Sequence, residues 1–186
     1  MQLQLTTLAG CSLAIGPYPR FSYDARGGGG SGQLGEVAGG RRPLAFRPEE
    51  LRIPPLSWRS TQVLGLPLPP GLTIRIEPLQ LSGELEPASG ELQLRLRARF
   101  HCSALGIYRP APLAIDTELS TGAVASRRHR CQGRALDAAG EGLLVGVAAV
   151  PPSGDLLLDR FLGLPDEALA LLRCRLTPPA AALSAG

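Results

Sequence analysis

Between Leu72 and Cys102 apolar and polar residues alternate almost without a break, and alternation of period two is the pattern of a half-buried β-strand. Leu72, Ile74 and Ile76 alternate with Thr73, Arg75 and Glu77. After Pro78 the apolar parity shifts to Leu79, Leu81, Gly83 and Leu85. A shift of phase at a proline is what a β-bulge produces, because one extra residue turns every following side chain to the other face. Glu86-Pro87-Ala88-Ser89-Gly90 then reads as a turn, with proline fixing φ at the first corner and glycine free to take the left-handed position. Out of it come Leu92, Leu94, Leu96, Ala98 and Phe100, alternating with Gln93, Arg95, Arg97 and Arg99. The spacing predicts a long amphipathic antiparallel hairpin.

The same pattern returns downstream. Leu113, Ile115, Thr117 and Leu119 alternate with Ala114, Asp116 and Glu118; a strand is expected from about 124 to 136, then the turn Asp137-Ala138-Ala139-Gly140, then an apolar strand from Leu143 to Val150. One or two short helices are expected near the C-terminus. One starts at Leu164-Pro165-Asp166-Glu167, with proline and acidic residues where a helix begins, and runs on to Leu172. The other covers Asp155 to Leu162, with Leu158, Phe161 and Leu162 toward the core. A last strand is expected over 174–176 and a disordered tail over 178–186.

The first 71 residues are weakly patterned. Alternation of Leu3 and Leu5 with Gln2 and Gln4 suits a strand, while Gly27-Gly28-Gly29-Gly30-Ser31-Gly32 and Gly39-Gly40 predict a flexible glycine-rich loop over 25–42. Prolines 43, 48, 54, 55, 67, 69 and 70 enforce extended, irregular backbone. These pieces read as edge strands and loops wrapped on the sheet. The expectation is a single β-rich domain over 1–177, mainly β, an antiparallel β-sandwich or open barrel with one or two short C-terminal helices.

Composition narrows the chemistry. All 19 basic residues are Arg; the chain has no Lys and no Asn. Without Lys there is no P-loop, no Schiff-base chemistry and no Ser-x-x-Lys acyl transfer. No Gly-x-Ser-x-Gly elbow occurs, and only His101 and His129 are available as bases. Leu8-Ala9-Gly10-Cys11 looks like a lipobox, but its leader is short and broken by Gln4, Thr6 and Thr7, and no basic segment precedes it. The longest apolar stretch, Leu143 to Pro152, is about half a membrane span, so no transmembrane segment is expected. Cys11, Cys102, Cys131 and Cys174 form no C-x-x-C pair and read as reduced thiols in a cytoplasmic protein, with peripheral attachment to a membrane as an alternative.

His101-Cys102 and His129-x-Cys131 are the nearest approach to metal ligands, yet strand neighbours point to opposite faces, so no metal or other cofactor is expected. Arg95, Arg97 and Arg99 share one strand face, and Arg128 and Arg130 share another phase. If the two groups meet, they form an anion- or partner-binding patch for phosphate, an anionic lipid surface or an acidic protein. Aromatics interleaved for base stacking are missing, which argues against nucleic acid.

Leu64-Gly65-Leu66-Pro67-Leu68-Pro69-Pro70, Tyr108-Arg109-Pro110-Ala111-Pro112-Leu113, Leu144-Val145-Gly146-Val147-Ala148 and Asp159-Arg160-Phe161-Leu162-Gly163-Leu164-Pro165 resemble segments of a protein group from cyanobacteria and chloroplasts. Tyr18-Pro19-Arg20-Phe21-Ser22-Tyr23-Asp24 is similar to the start of that group. The resemblance implies a photosynthetic setting and carries over no activity and no catalytic residue. The leading expectation is a non-catalytic β module that binds a hydrophobic small molecule, a lipid or a protein partner. The alternatives are an enzyme with a site assembled from scattered Asp, Glu, Arg and His, and an Arg-mediated nucleic-acid binder.

Overall fold

The computed structural model describes residues 1–179. In chain order the strands are β1 (Gln2–Thr7), β2 (Cys11–Ile15), β3 (Phe21–Tyr23), β4 (Gly29–Leu34), β5 (Arg42–Phe46), β6 (Thr61–Val63), β7 (Leu66–Pro67), β8 (Leu72–Glu86) and β9 (Glu91–Ala104). They continue with β10 (Leu113–Ser120), β11 (Ala123–Ala125), β12 (Arg130–Gln132) and β13 (Glu141–Val150), then helix α1 (Leu156–Leu162) and β14 (Asp166–Thr177). The fold is mainly β and antiparallel, as expected.

Pairing runs β1–β4–β5–β8–β9–β10–β13–β14, and β14 then pairs back onto β1 from Gln4↔Thr177 to Thr7↔Cys174. Eight strands thus close into a barrel, which removes the unpaired edges of an open sheet. Below the β1 pairing, the first half of β14 pairs with β2 instead, from Leu171↔Ser12 to Ala168↔Ile15, and β3, β6 and β7 follow in turn. The hairpin β8–β9 holds register from Leu72↔Ala104 to Glu86↔Glu91, with the shift between Pro78 and Gln80 where the parity change placed a bulge. Leu113, Ile115, Thr117 and Leu119 of β10 are buried and the residues between them exposed, as their alternation predicts.

The first four walls of the barrel are all interrupted at about one height. Leu8–Gly10 separate β1 from β2, and 24–28 separate β3 from β4. A 3-10 turn at Pro48–Glu50 separates β5 from Arg52 and Leu56, which bridge to Gly29 and Ile74. The bulge in β8 falls between the Phe46↔Leu81 pair and the Leu56↔Ile74 bridge.

Three expectations need correcting. The glycine-rich segment read as a loop contains β4, paired with β1 on one side and β5 on the other. Its glycines are there for close approach: a Cβ on Gly32 would stand 2.7 Å from the Phe46 ring, and one on Gly30 would stand 2.8 Å from the Glu50 carbonyl. The helix expected over 164–172 is the first half of β14. Ala168, Ala170 and Leu172 turn inward, but outward-facing Leu169 is buried as well, so both faces are apolar and alternation disappears. The strand expected over 124–136 is a separate hairpin, β11–β12, which packs on β13 and covers outward-facing Val145. The tail expected over 178–186 lies, from residue 180 onward, outside the described residues.

Helix α1 forms where the second helix was expected. Asp155 caps it by accepting hydrogen bonds from the Leu157 and Leu158 N–H groups, and Gly163 ends it in the left-handed conformation. It buries Leu158 and Leu162 against Cys102, Leu113 and Val150 at one end of the barrel, while Phe161 turns out to solvent instead of into the core. Among the described residues no helix is long and apolar enough to cross a membrane.

Candidate functional site

The two ends of the barrel interior differ. Toward the β8–β9 turn the inward side chains fill the space: Leu44, Leu92 and Leu94 are all at most 1% exposed. Along β9 the inward parity continues through Leu96, Ala98, Phe100 and Cys102, yet Leu96 and Phe100 are only half-buried although the wall encloses them. What they face is empty space. Two apolar lobes of about 110 Å³ each lie along the barrel and share Leu13, Leu96, Phe100, Leu119 and Ala170 in their lining.

The lining presents almost no polar atoms, and the hydroxyls in the wall are turned to backbone carbonyls. The Tyr23 hydroxyl donates to Pro54 O, the Thr7 hydroxyl to Ala25 O, and the Cys11 thiol to Leu8 O at 3.3 Å. Burial pushes the thiols of Cys11 and Cys102 up, and that of Cys174 to about 12, so none of the three is a nucleophile at neutral pH. One lobe runs out to the row of interruptions in the wall, where Thr7, Ala25, Gly29, Ile53, Pro54 and the exposed Arg52 line it. The other ends on Leu162 of α1, Ile15 and Leu113.

The arginines singled out from the sequence lie outside the barrel on two separate elements. Arg95 forms a two-pronged pair with Asp116 across to β10 (2.9 and 2.8 Å), Arg97 reaches the same carboxylate at 3.7 Å, and Arg99 lies 4.0 Å from Glu77 on β8. His101 bonds Glu77 at 2.7 Å. Arg128 precedes β12 and pairs at 2.6 Å with Asp166, which also takes Arg127; Arg130, in β12, makes no ion pair among the described residues. No strand pairing joins β9 to β12. His129 sits in the β11–β12 turn, its Nε2 buried and without a hydrogen-bond partner. The interior residues escaped the sequence reading because parity tells which side chains point inward, not whether anything meets them there.

These pairings hold their carboxylates in the charged form. The Arg95 hydrogen bonds hold the Asp116 carboxyl below its ordinary range, and the His101 bond does so for Glu77. Burial pushes Asp166 up, but the Glu167 N–H and Arg128 outweigh it, leaving that carboxyl low as well. A carboxyl depressed in the folded state stabilises the fold above its unfolded pKa, and that contribution disappears as pH falls through the folded value. Melting temperature is therefore expected to stay nearly level from neutral pH to about 5 and to fall steeply below about 4. Calorimetry across that range checks it; a decline that starts near pH 6 contradicts the assignment.

Comparison with protein-family models, with curated proteins and with solved structures gives no match.

Proposed function

We propose that this chain is a non-catalytic barrel that binds one slim apolar molecule, of the cross-section of an acyl chain, along its interior. The observation that carries this reading is the half-burial of Leu96 and Phe100 on a strand whose other inward residues are buried, Leu92, Leu94 and Ala98 to 1% or less and Cys102 to 9%. A solid barrel core would bury the whole series. An apolar cavity of ~150 Å³ takes a benzene ring and stays dry when empty. Two smaller lobes in line, each about 110 Å³, suit a linear chain better than a compact polycycle. The absence of a charged or reactive group among the shared lining residues supports binding over chemistry.

The test is titration with a fluorescent polyene fatty acid, which brightens in an apolar site. Saturable one-to-one binding is expected. Ala170→Leu, which adds bulk where the lobes meet, is expected to weaken it by about tenfold or more while the fold survives. Native mass spectrometry of the purified protein reads any occupant carried through purification. If the wild type shows no saturable binding of any acyl chain, and Ala170→Leu changes nothing, the reading is wrong.

A further inference from the structure

At the α1 end of the barrel, apolar side chains stand out in water in numbers that folding does not require. Leu64 (80% exposed), Leu105 (74%), Ile107 (86%), Leu156 (88%), Leu157 (66%) and Phe161 (55%) come from the β6–β7 turn, the loop after β9 and helix α1, the last two tied by a side-chain hydrogen bond. The Leu105 N–H donates to Gly71 O, Tyr108 donates to the Asp155 carboxylate at 2.7 Å, and Tyr18 donates to Phe161 O at 2.7 Å with its ring beside the Phe161 ring. Exposed apolar residues scattered singly need no explanation; a contiguous apolar end does.

Two of these leucines are held against their own backbone preference. Leu64 and Gly65 form the two-residue turn between β6 and β7 with φ of +52° and +80°, and Leu105 and Gly106 repeat the arrangement at +53° and +72°. They are the only non-glycine residues with positive φ among the described residues. Such positions normally carry Asn, Asp or Gly, because a side chain beyond Cβ is strained there. Each turn tip thus combines backbone strain with a solvated leucine; even Leu105, whose N–H donates to Gly71 O, leaves most of its side chain in water. Backbone strain of this kind concentrates at sites of binding.

Charge decides what these tips meet. Arg109 and Arg160 stand exposed beside these segments and Arg59 in the turn that leads into β6, and none of the three is in an ion pair among the described residues. The acidic residues of those loops, Asp155 and Asp159, are occupied: Asp155 caps α1 and takes Tyr108, and Asp159 takes Ser153. Trp58, half exposed, lies beside Arg59, whose guanidinium is 5.0 Å from the ring. Aliphatic tips, a tryptophan at their margin and unpaired arginines together are the composition that seats on an anionic bilayer, with the apolar groups below the headgroups and the cations among them.

We infer that the α1 end of the barrel docks on an anionic lipid bilayer, inserting Leu64, Leu105 and the exposed face of α1 while Arg59, Arg109 and Arg160 meet lipid phosphates. The inference stands apart from the interior-binding reading, since docking uses no residue shared by the two lobes; Ala170→Leu should dock like the wild type even if acyl binding is lost.

The experiment is flotation with vesicles of phosphatidylcholine alone and of phosphatidylcholine mixed with phosphatidylglycerol, followed by quenching of Trp58 with brominated lipid. Trp58 is the only tryptophan, so its signal reports the turn that leads into β6, the strand that carries Leu64 at its other end. Wild-type protein is expected to float with the anionic vesicles, less at high salt, and to be quenched. The double variant Leu64→Asn, Leu105→Asn relieves both turns, so it should melt no lower than the wild type, yet its vesicle affinity should fall about tenfold or more. Replacing Arg59, Arg109 and Arg160 by Gln should abolish the preference for anionic lipid. Absence of wild-type flotation at low salt overturns the inference, as does undiminished binding by the leucine double variant. So does self-association that the double variant dissolves while vesicles are ignored, which would make this end a contact between copies.

Discussion

Leu94→Ala is expected to lower stability by about 2–5 kcal/mol, while Leu96→Ala, the next inward residue on β9, is expected to cost less than about half as much. The substitutions are chemically identical and the sites share a strand, a face and a parity, so the difference isolates the surroundings. Leu94 is 1% exposed, belongs to the packed core cluster and borders one lobe only. Removing its terminal carbons gives up their transfer free energy and leaves a new hole that the close-packed neighbours cannot collapse into. Leu96 already borders both lobes, so its contacts are fewer and truncation enlarges a space that exists. Chemical denaturation of the two variants measures the difference. Equal large losses would mean that the interior is solid at Leu96, and the binding reading would fall with it.

Gly29→Ala is expected to cost about 3 kcal/mol or more, a large effect for the addition of one methyl group to a strand. Gly29 has φ of +125°, a conformation that L side chains rarely adopt, and an added Cβ would stand 2.0 Å from the Leu5 carbonyl oxygen. That obstacle is backbone and cannot rotate away. Gly29 is also where β4 meets two partners at once: it pairs with Thr6 of β1 and exchanges two 2.8 Å hydrogen bonds with Arg52. Moving it breaks the row that joins the first three walls at their interruption. Gly39→Ala offers the contrast. Its φ of +60° brings strain, but nothing lies within 4 Å of the added carbon, so only the strain is lost. Thermal melts of the pair should rank them clearly, and a Gly29 variant as stable as the Gly39 variant would refute the account.

The β8–β9 hairpin and β10 are legible from sequence because each has one face in the barrel and the other in water, so period two survives down to the bulge at Pro78. Legibility fails where that asymmetry is lost. A hairpin from elsewhere in the chain packs on β13 over Val145, Leu169 of β14 is buried on its outer face as well, and an apolar run results that suits a helix as well as a strand. It fails again in β4, where inward Gly30 and Gly32 give up bulk to Glu50 and Phe46, partners that no local pattern announces. The interior space is an absence between walls distant in sequence, and only the closed barrel defines it. The Leu64-Gly65 and Leu105-Gly106 tips could have been noticed: leucine where hairpin turns favour asparagine is a local anomaly, readable once β6, β7 and β9 are placed.

Closure of the wall has a consequence for how the chain reaches this state. The pairings of Gln4 with Thr177 and of Ser12 with Leu171 join the first described strands to the last, across nearly the whole sequence. Contacts so far apart in sequence are slow to form, and the entropy of bringing them together is lost before they return anything. Seven strands can therefore assemble in order of synthesis and still be an open, curled sheet, with β13 unpaired along one edge, β1 along the other, and the leucines of the interior in water. During that interval the nascent chain carries two edges able to add a foreign strand. The emergence of β14 from the ribosome ends that exposure, by filling both edges with a single strand.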